Sequence, residues 1–208
     1  MSMFDPLGLI STLTIRGKIL MQKMWRSGIS WGSFSLEELI KPWQRWMKDL
    51  RKVADYKIPR CYSFLIPGAD RIELHTFYDS SEESFATVYY LRVLKDDSII
   101  AAKTRVAPLK QLSILRLELQ AAVMGSRLAE TIKLELEITI NRMYFWTDSK
   151  CVLGWIRADG RSFKQFVALR IGEIQERRRI EDWQWVPSRQ NIADYATRSS
   201  KETIICDD

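Results

Sequence analysis

The stretch Ile72-Glu73-Leu74-His75-Thr76-Phe77-Tyr78-Asp79 is a run of β-branched and aromatic residues that ends in an acid. Such a run predicts a β-strand. Turn-forming residues follow it at 80–84, and residues 85–93 predict a second strand. Asp79 is therefore expected where a strand reaches the edge of a sheet, in a position to present one carboxylate.

The chain beyond this stretch alternates between strands and helices. The pattern first predicts a hairpin at Lys95-Asp96-Asp97 and a third antiparallel strand at 98–106. An amphipathic helix follows at about 115–136, and then a fourth strand at 143–148 with a helix opening just after it. The last predicted elements are a helix at about 163–178 and a fifth strand at 182–187.

Three further acids occupy comparable places in this series. Glu118 lies early in the predicted helix 115–136, Asp148 closes the fourth strand, and Asp194 follows the fifth strand in Asn191-Ile192-Ala193-Asp194. Taken alone, each acid also has a structural interpretation: Asp79 as a turn residue, Glu118 as a first-turn acid that favours the helix dipole, Asp148 as a helix N-cap, and Asp194 in a first turn that Asn191 caps. Their order suggests instead that they share one site.

Residues 1–70 lack the strand-forming runs of the later chain and predict a mainly helical extension. Ser11 is expected to cap a helix that runs to about Trp25. Because proline is costly inside a helix, we expect a short turn near Ser35 and then a helix that starts at Pro42.

Composition limits the class of protein. With 208 residues and 46% apolar side chains, the chain can build one medium domain with an extension, or two small ones. The 32 basic residues against 26 acidic ones give a net charge of +6, which fits a polyanionic partner. Three scattered cysteines and a single histidine cannot form the usual zinc sites and predict a reducing, intracellular environment. No stretch predicts a membrane span.

The series of strands, helices and acids resembles the ribonuclease H domain over about residues 71–200. Several motifs are also similar to the polyprotein of Pao-type (BEL-type) LTR retrotransposons, in a segment that spans the end of the reverse transcriptase and its ribonuclease H. These motifs are Phe4-Asp5-Pro6-Leu7-Gly8-Leu9, Ile58-Pro59-Arg60, Arg116-Leu117-Glu118-Leu119-Gln120-Ala121-Ala122, Trp146-Thr147-Asp148-Ser149 and Asn191-Ile192-Ala193-Asp194.

The resemblance implies an α/β fold, namely a ribonuclease H-like five-stranded mixed sheet flanked by helices, with an N-terminal mainly helical extension. It divides the chain into an extension over residues 1–70 that resembles the end of reverse transcriptase, a ribonuclease H-like domain over 71–200, and a tail over 201–208. It also implies that the reverse transcriptase domain of the same polyprotein is a partner, and that the protein works in the cytoplasm, in a retrotransposon particle.

By the same resemblance, the four acids hold two divalent ions, Mg²⁺ or Mn²⁺. Asp79 would bridge both ions, Glu118 and Asp148 would complete one, and Asp194 would complete the other. Carboxylates suit these hard cations, and two of them together serve phosphodiester hydrolysis. The implied activity is hydrolysis of the RNA strand of RNA–DNA hybrids.

The residues that would contact the hybrid are less sharply defined by the sequence, since each also fits a solvated surface. The candidates are Arg116, Ser149, Lys150, Trp155, Arg157, Arg161 and Lys164. Many ribonucleases H carry a histidine in the loop before the last acid, whereas residues 187–191 contain none. The single histidine, His75, lies inside the first predicted strand, where a packed imidazole is expected.

Two other functions compete with the enzyme. A degenerate or domesticated ribonuclease H fold would bind nucleic acid without cutting it. A DDE-type transposase or integrase shares the fold but places its glutamate last, whereas the order here is Asp, Glu, Asp, Asp. The Tyr-x-Asp-Asp motif of a polymerase active site does not occur in the sequence.

Overall fold

The computed structural model describes residues 4–28, 37–59, 61–93 and 96–198. Within them the helices and strands are α1 (Ser11–Arg26), α2 (Glu37–Lys52), β1 (Ile72–Ser80), β2 (Ser84–Val93), β3 (Asp96–Val106), α3 (Ile114–Glu135), β4 (Arg142–Thr147), α4 (Lys150–Arg157), α5 (Gln165–Arg177) and β5 (Trp183–Trp185). The order predicted from the sequence is confirmed. Lys95 of the predicted hairpin and the predicted tail at 201–208 lie outside the described residues.

The strands form a single mixed sheet in the order β3-β2-β1-β4-β5. The first three strands are an antiparallel meander, while β4 runs parallel to β1 and β5 runs parallel to β4. Because β1 and β4 are parallel neighbours, their carboxyl ends lie at the same edge of the sheet. The expected five-stranded mixed sheet is therefore present, and it brings the ends of two acid-bearing strands together.

Side chains alternate between the two faces of β1, and both faces are covered. Leu74 and Tyr78 join the main core, which includes Leu117 and Ala121 of α3. On the opposite face Phe77 stacks on Trp146 of β4, with ring centroids 6.1 Å apart. Burial on both sides fixes the register of the strand, since a slip of one residue would exchange the two faces.

The N-terminal extension packs against the free edge of β3. The backbone N–H of Ala102 donates to the carbonyl of Leu7 at 2.7 Å, and Gly8 next to it has φ +71°. Helix α2 is held to α1 by Trp46, whose indole N–H donates to the Leu13 carbonyl at 2.8 Å. The extension thus covers backbone groups that an edge strand would otherwise expose.

Two predictions about where the helices of the extension begin are wrong. Helix α2 begins by Glu37, with Pro42 inside it. The missing N–H of Pro42 costs one hydrogen bond near the start of the helix, and the buried Trp46 helps to stabilise the helix despite that loss. The predicted turn at Ser35 lies outside the described residues.

Ser11 does not cap α1 and is its first residue. The capping position is Ile10, which makes no side-chain capping bond. The carboxylate of Asp5 accepts hydrogen bonds from the N–H groups of Leu9 at 2.9 Å and Ile10 at 3.2 Å instead. Asp5 thus satisfies two backbone donors just before the helix begins.

The described helices include none with the length and apolar character that crossing a bilayer requires. Cys61 and Cys151 are free and exposed.

Candidate active site

The four acids predicted from the sequence approach one another at the carboxyl edge of β1 and β4. Asp79 is the penultimate residue of β1, Asp148 directly follows β4, and Glu118 is on α3. Asp194 lies on a short 3₁₀ turn, Ile192–Ala196. The charge of Asp148 raises the pKa of each of the other three, in addition to the larger effect of burial. The charge of Asp148 therefore reaches each of the other three acids, and we call the four residues the acidic cluster.

Asp79 is the most perturbed of the acids. Asp79 is only 8% exposed. Burial raises its pKa to about 7, and the charges of Asp148 and Asp194 add to the shift. The hydroxyl of Thr197 donates a hydrogen bond to its carboxylate, which opposes the shift in part.

Asp148 is oriented by Asn191, which is almost fully buried. The Asn191 side-chain amide donates to Asp148 Oδ1 at 3.3 Å and to the carbonyl of Tyr78 at 3.1 Å. Its own oxygen accepts from the N–H of Ala193 at 3.3 Å, which confirms the predicted cap of the turn that carries Asp194. Asn191 therefore ties together β1, Asp148 and the Asp194 turn, a role that its place in the Asn-x-Ala-Asp motif alone does not reveal.

Asp194 is paired with a cation that the sequence analysis missed. Arg198 Nη2 lies 2.6 Å from Asp194 Oδ2. The two residues are four apart, and this spacing was the signal available in the sequence. Two of the four acids thus already have partners in the chain: Thr197 donates a hydrogen bond to Asp79, and Arg198 forms an ion pair with Asp194.

Glu118 lies beyond the first turn of α3, because the helix begins at Ile114. Its interpretation as a first-turn acid is therefore wrong. Burial raises its pKa, a hydrogen bond from Ser149 lowers it in part, and Asp148 raises it further. Its Oε2 atom is buried and has no hydrogen-bond partner. A buried carboxylate oxygen without a partner is costly unless a cation or donor binds it.

The alternative interpretation of Asp148 as a helix N-cap is also wrong. Ser149 is the N-cap of α4, and its hydroxyl accepts from the N–H of Val152 at 3.4 Å. The carboxylate of Asp148 is thereby left for the acidic cluster.

The donor set fits hard divalent cations, since it consists of carboxylates and includes the unpartnered Oε2 of Glu118. Within the described ranges, however, no three His, Cys, Asp or Glu side chains already converge as a group that could hold a metal ion. The assignment of Asp79, Glu118, Asp148 and Asp194 as metal ligands thus stays a prediction.

The raised pKa of Asp79 predicts a pH-dependent stability in the absence of divalent metal. A carboxyl group whose pKa rises from 3.8 to about 7 on folding binds its proton more tightly in the folded state. The free energy of unfolding should then fall as the pH rises through that range. We expect Asp79 to contribute about 2–4 kcal/mol to this fall.

Urea unfolding in EDTA, at about pH 5 and about pH 8, measures the effect. The Asp79→Asn variant is the control, because it keeps the shape of the side chain and loses the titration. The fall in stability should be smaller in this variant. An equal fall in the two proteins would contradict the prediction.

The predicted hybrid-binding residues fall into groups. Arg116 lies over the ring of Phe166 at 5.0 Å from its centroid. Ser149 and Lys150 directly follow Asp148, and Lys150 Nζ is 5.1 Å from the ring centroid of Trp185. Trp155 is half-buried and packs on the core, with Phe163 beside it. The remaining three are exposed: Arg157, which donates to the carbonyl of Trp183 at 3.3 Å, and Arg161 and Lys164, which precede α5.

His75 is packed, as its place in the strand predicted. It is 7% exposed and stacks on Tyr144, with ring centroids 5.0 Å apart. The indole N–H of Trp146 donates to its Nδ1 at 3.0 Å. His75 is thus held by aromatic neighbours in the sheet.

A family model described as the Pao retrotransposon-like RNaseH-like domain matches residues 1–149. The chain belongs to this family. The match covers both the helical extension and three of the four acids, and it stops before Asp194. The resemblance drawn from the sequence motifs is thereby confirmed. No curated protein sequence gives a significant match to this Pao-family chain.

Solved structures similar to this Pao-family domain include one bacterial and one archaeal protein. The N-terminal RNase H domain of a Mycobacterium tuberculosis protein, solved as a maltose-binding-protein fusion, is 13% identical, with 61% of this chain and 90% of that one covered and a TM-score of 0.44. RNase H1 of Halobacterium salinarum is 14% identical, with coverages of 59% and 90% and a TM-score of 0.41.

A viral structure is similar over more of the chain. The foamy viral protease–reverse transcriptase, in complex with double-stranded DNA, is 10% identical, with 89% of this chain and 33% of that one covered and a TM-score of 0.49. These distant similarities carry no argument about activity. The ribonuclease H-like fold of the Pao-family chain rests on the family match and on the strand order of its sheet.

Proposed function

We propose that this domain is a metal-dependent endonuclease that hydrolyses the RNA strand of RNA–DNA hybrids as part of a retrotransposon reverse-transcription polyprotein. The observation that supports the proposal best is that the turn carrying Asp194 is bonded to two of the other acids: Asn191 donates to Asp148, and Thr197 donates to Asp79. Membership of a retrotransposon RNaseH-like family favours the same activity.

Asp79, Glu118, Asp148 and Asp194 are the residues that would hold two Mg²⁺ or Mn²⁺ ions. When bound, the cations supply an activated water and neutralise charge on the leaving oxygen. The protein supplies the rest. Strand β1 fixes Asp79, and Asn191 orients Asp148. Burial raises the pKa of Asp79 and of Glu118, so that their charged forms are disfavoured until a cation binds. Such a cluster has a physical reason to bind metal.

The hybrid is proposed to lie over Arg116, which is two residues before Glu118 on α3, and over Ser149 and Lys150, which directly follow Asp148. Recognition of RNA paired to DNA rests on backbone shape and 2′-hydroxyl groups. The other proposed contacts are Trp155, Arg157, Arg161 and Lys164. We further propose that the reverse transcriptase domain of the polyprotein is a partner, and that the protein acts in cytoplasmic retrotransposon particles.

A nucleic-acid-binding module without catalysis is the second candidate. It is favoured by the ion pair of Arg198 with Asp194, which places a cation of the chain itself on one of the four acids. Such a module would bind hybrid and leave it intact with every divalent metal.

Cleavage of labelled RNA tests the proposal. We expect the purified chain to cut the RNA of an RNA–DNA hybrid in Mg²⁺ or Mn²⁺, and to leave double-stranded DNA and single-stranded RNA intact. Excess EDTA should stop the reaction, and renewed metal should restore it. Undiminished cutting in EDTA, or hybrid binding with no cutting in either metal, would reject the proposed enzyme, and the second outcome would support the binding module.

A further inference from the structure

Helix α1 ends beside two loops that flank residues of the acidic cluster. One is the turn 81–83, which follows β1, the strand of Asp79. The other is the loop 107–113, which leads from β3 into α3, the helix of Glu118. Three polar residues of α1 contact these loops, and we call them the α1 brace: Gln22, Lys23 and Arg26.

The α1 brace contacts the main chain of the loop before α3. Gln22 Nε2 donates to the carbonyl oxygen of Ala107 at 2.7 Å. Arg26 Nη2 donates to the carbonyl oxygens of Pro108 and Leu109, both at 3.4 Å. Because these bonds go to backbone carbonyls, α1 fixes the path of the chain just before α3 begins.

Lys23 connects α1 to the turn that follows β1. Its Nζ atom lies 2.6 Å from Oε1 of Glu83, in that turn. The backbone carbonyl of Glu83 also accepts a hydrogen bond from the N–H of Ala107 at 2.8 Å. The turn and the loop are therefore bonded to each other as well as to α1, and we call this set of bonds the loop junction.

The loop junction lies next to a bond between the segments that carry Asp79 and Glu118. The hydroxyl of Ser80, the residue after Asp79, donates to the carbonyl oxygen of Ile114 at 3.2 Å. Ile114 is the first residue of α3, about one helical turn before Glu118. Ser80 directly precedes the turn of the junction, and Ile114 directly follows its loop. Restraint of the turn and the loop therefore also restrains the relative positions of Asp79 and Glu118.

The apolar face of α1 already attaches the extension to the sheet. Leu13, Ile15 and Ile19 are buried, and α1 contacts β3. The ion pair of Lys23 with Glu83 adds little to this attachment, because both side chains are partly exposed. The main effect of the α1 brace is therefore on where the two loops lie.

We propose that the α1 brace positions Asp79 and Glu118 for metal binding, so that the extension completes the nuclease site. Its members are positioning residues, which act on the acids through the loop junction. Helix α1 also contacts the 3₁₀ turn that carries Asp194, so a third acid depends on the same helix. The role of the acids in this inference rests on the proposed function. The competing explanation is that the brace only attaches the extension.

Mn²⁺ binding without nucleic acid, followed by electron paramagnetic resonance of free Mn²⁺, tests the proposal. We expect the brace variant, Gln22→Ala/Lys23→Ala, to bind Mn²⁺ about fivefold to tenfold more weakly than the wild type. Loss of a partner that orients a metal ligand directly costs about 10- to 100-fold, and the brace acts at one remove. In hybrid cleavage kcat should fall by a similar factor, while KM and the midpoint of urea unfolding should stay close to the wild-type values.

The matched control is Thr12→Ala/Lys18→Ala, which also removes one neutral polar side chain and one lysine from α1, at exposed positions. It should bind Mn²⁺ as the wild type does. Lys23→Arg keeps a cation for Glu83 and should bind nearly as well as the wild type. Lys23→Ala alone replaces the brace variant if that one does not fold, and it should show a smaller loss.

Wild-type Mn²⁺ affinity in the brace variant, with or without a lower midpoint of unfolding, would overturn the proposal in favour of simple attachment. An equal loss in the control variant would overturn it too. Weaker Mn²⁺ binding by the brace variant, with no hybrid cleavage by the wild type, would reject the enzyme and keep the positioning role. Absence of Mn²⁺ binding by the wild type would overturn both.

Discussion

Replacement of Asp148 by asparagine is expected to reduce hybrid cleavage by about 10³-fold or more, a loss of about 4 kcal/mol of transition-state stabilisation. The amide keeps the size of the side chain and an oxygen that can still accept from Asn191. It removes the charge that acts on Asp79, Glu118 and Asp194 together. Metal affinity and catalysis should therefore fall together.

The same substitution should leave the metal-free protein at least as stable as the wild type, because it removes repulsion between acids. Single-turnover cleavage and thermal unfolding in EDTA measure the two effects. Asp55→Asn is the matched control, since Asp55 is an exposed acid in a short turn of the extension, and it should change neither quantity. Near-normal cleavage by Asp148→Asn would remove Asp148 from the catalytic site. A large loss of stability would mean that the carboxylate is structural.

Replacement of Gly8 by alanine is expected to lower the free energy of unfolding by about 3 kcal/mol. Gly8 has φ +71°, a conformation that costs an alanine about 1 kcal/mol. A Cβ atom at this position would lie 1.8 Å from the carbonyl oxygen of Ala102 and 2.6 Å from its carbonyl carbon. Both atoms belong to the backbone of β3, so neither can move aside as a flexible side chain would. We expect the segment that carries Leu7 to separate from the edge of the sheet.

Gly28→Ala separates the two causes of this loss. Gly28 has φ +73°, and a Cβ atom there would meet nothing within 4 Å. It should cost only the backbone strain, about 1 kcal/mol. Urea unfolding of the two variants beside the wild type measures the difference, and hydrogen exchange at the Ala102 N–H reports whether the edge contact opens. Equal losses in both variants would show that the close approach to Ala102 does not contribute.

The Phe-Asp-Pro-Leu-Gly motif illustrates how a sequence signal gains a physical meaning from the structure. In the sequence it was a mark of the family. In the structure Asp5 accepts from backbone N–H groups before α1, Leu7 accepts from the edge of β3, and Gly8 permits the close approach. The division at residue 70 stays a prediction, although these contacts show that the extension packs directly on the sheet.

The parts of the site that could not be predicted depend on contacts between distant residues. Nothing in the local pattern around Thr197 indicates that its hydroxyl reaches Asp79, which is 118 positions away. Asn191 had a visible local role as a cap, but its bonds to Asp148 and Tyr78 require the packing of the final turn on β1. The prediction for Pro42 failed for a similar reason, because a local rule was outweighed by the packing of Trp46 on α1.

The sequence by itself determined the order of the strands and helices, the family, and the identity of the four acids as candidates. These features rest on residue type and local periodicity, which are properties of short segments. Only the tertiary structure decided that Asp148 acts on the other three acids, that Arg198 pairs with Asp194, and that Thr197 donates to Asp79. The physical reason is that burial and electrostatic coupling depend on distances in space, and these are set when β1, β4, α3 and the last turn pack together.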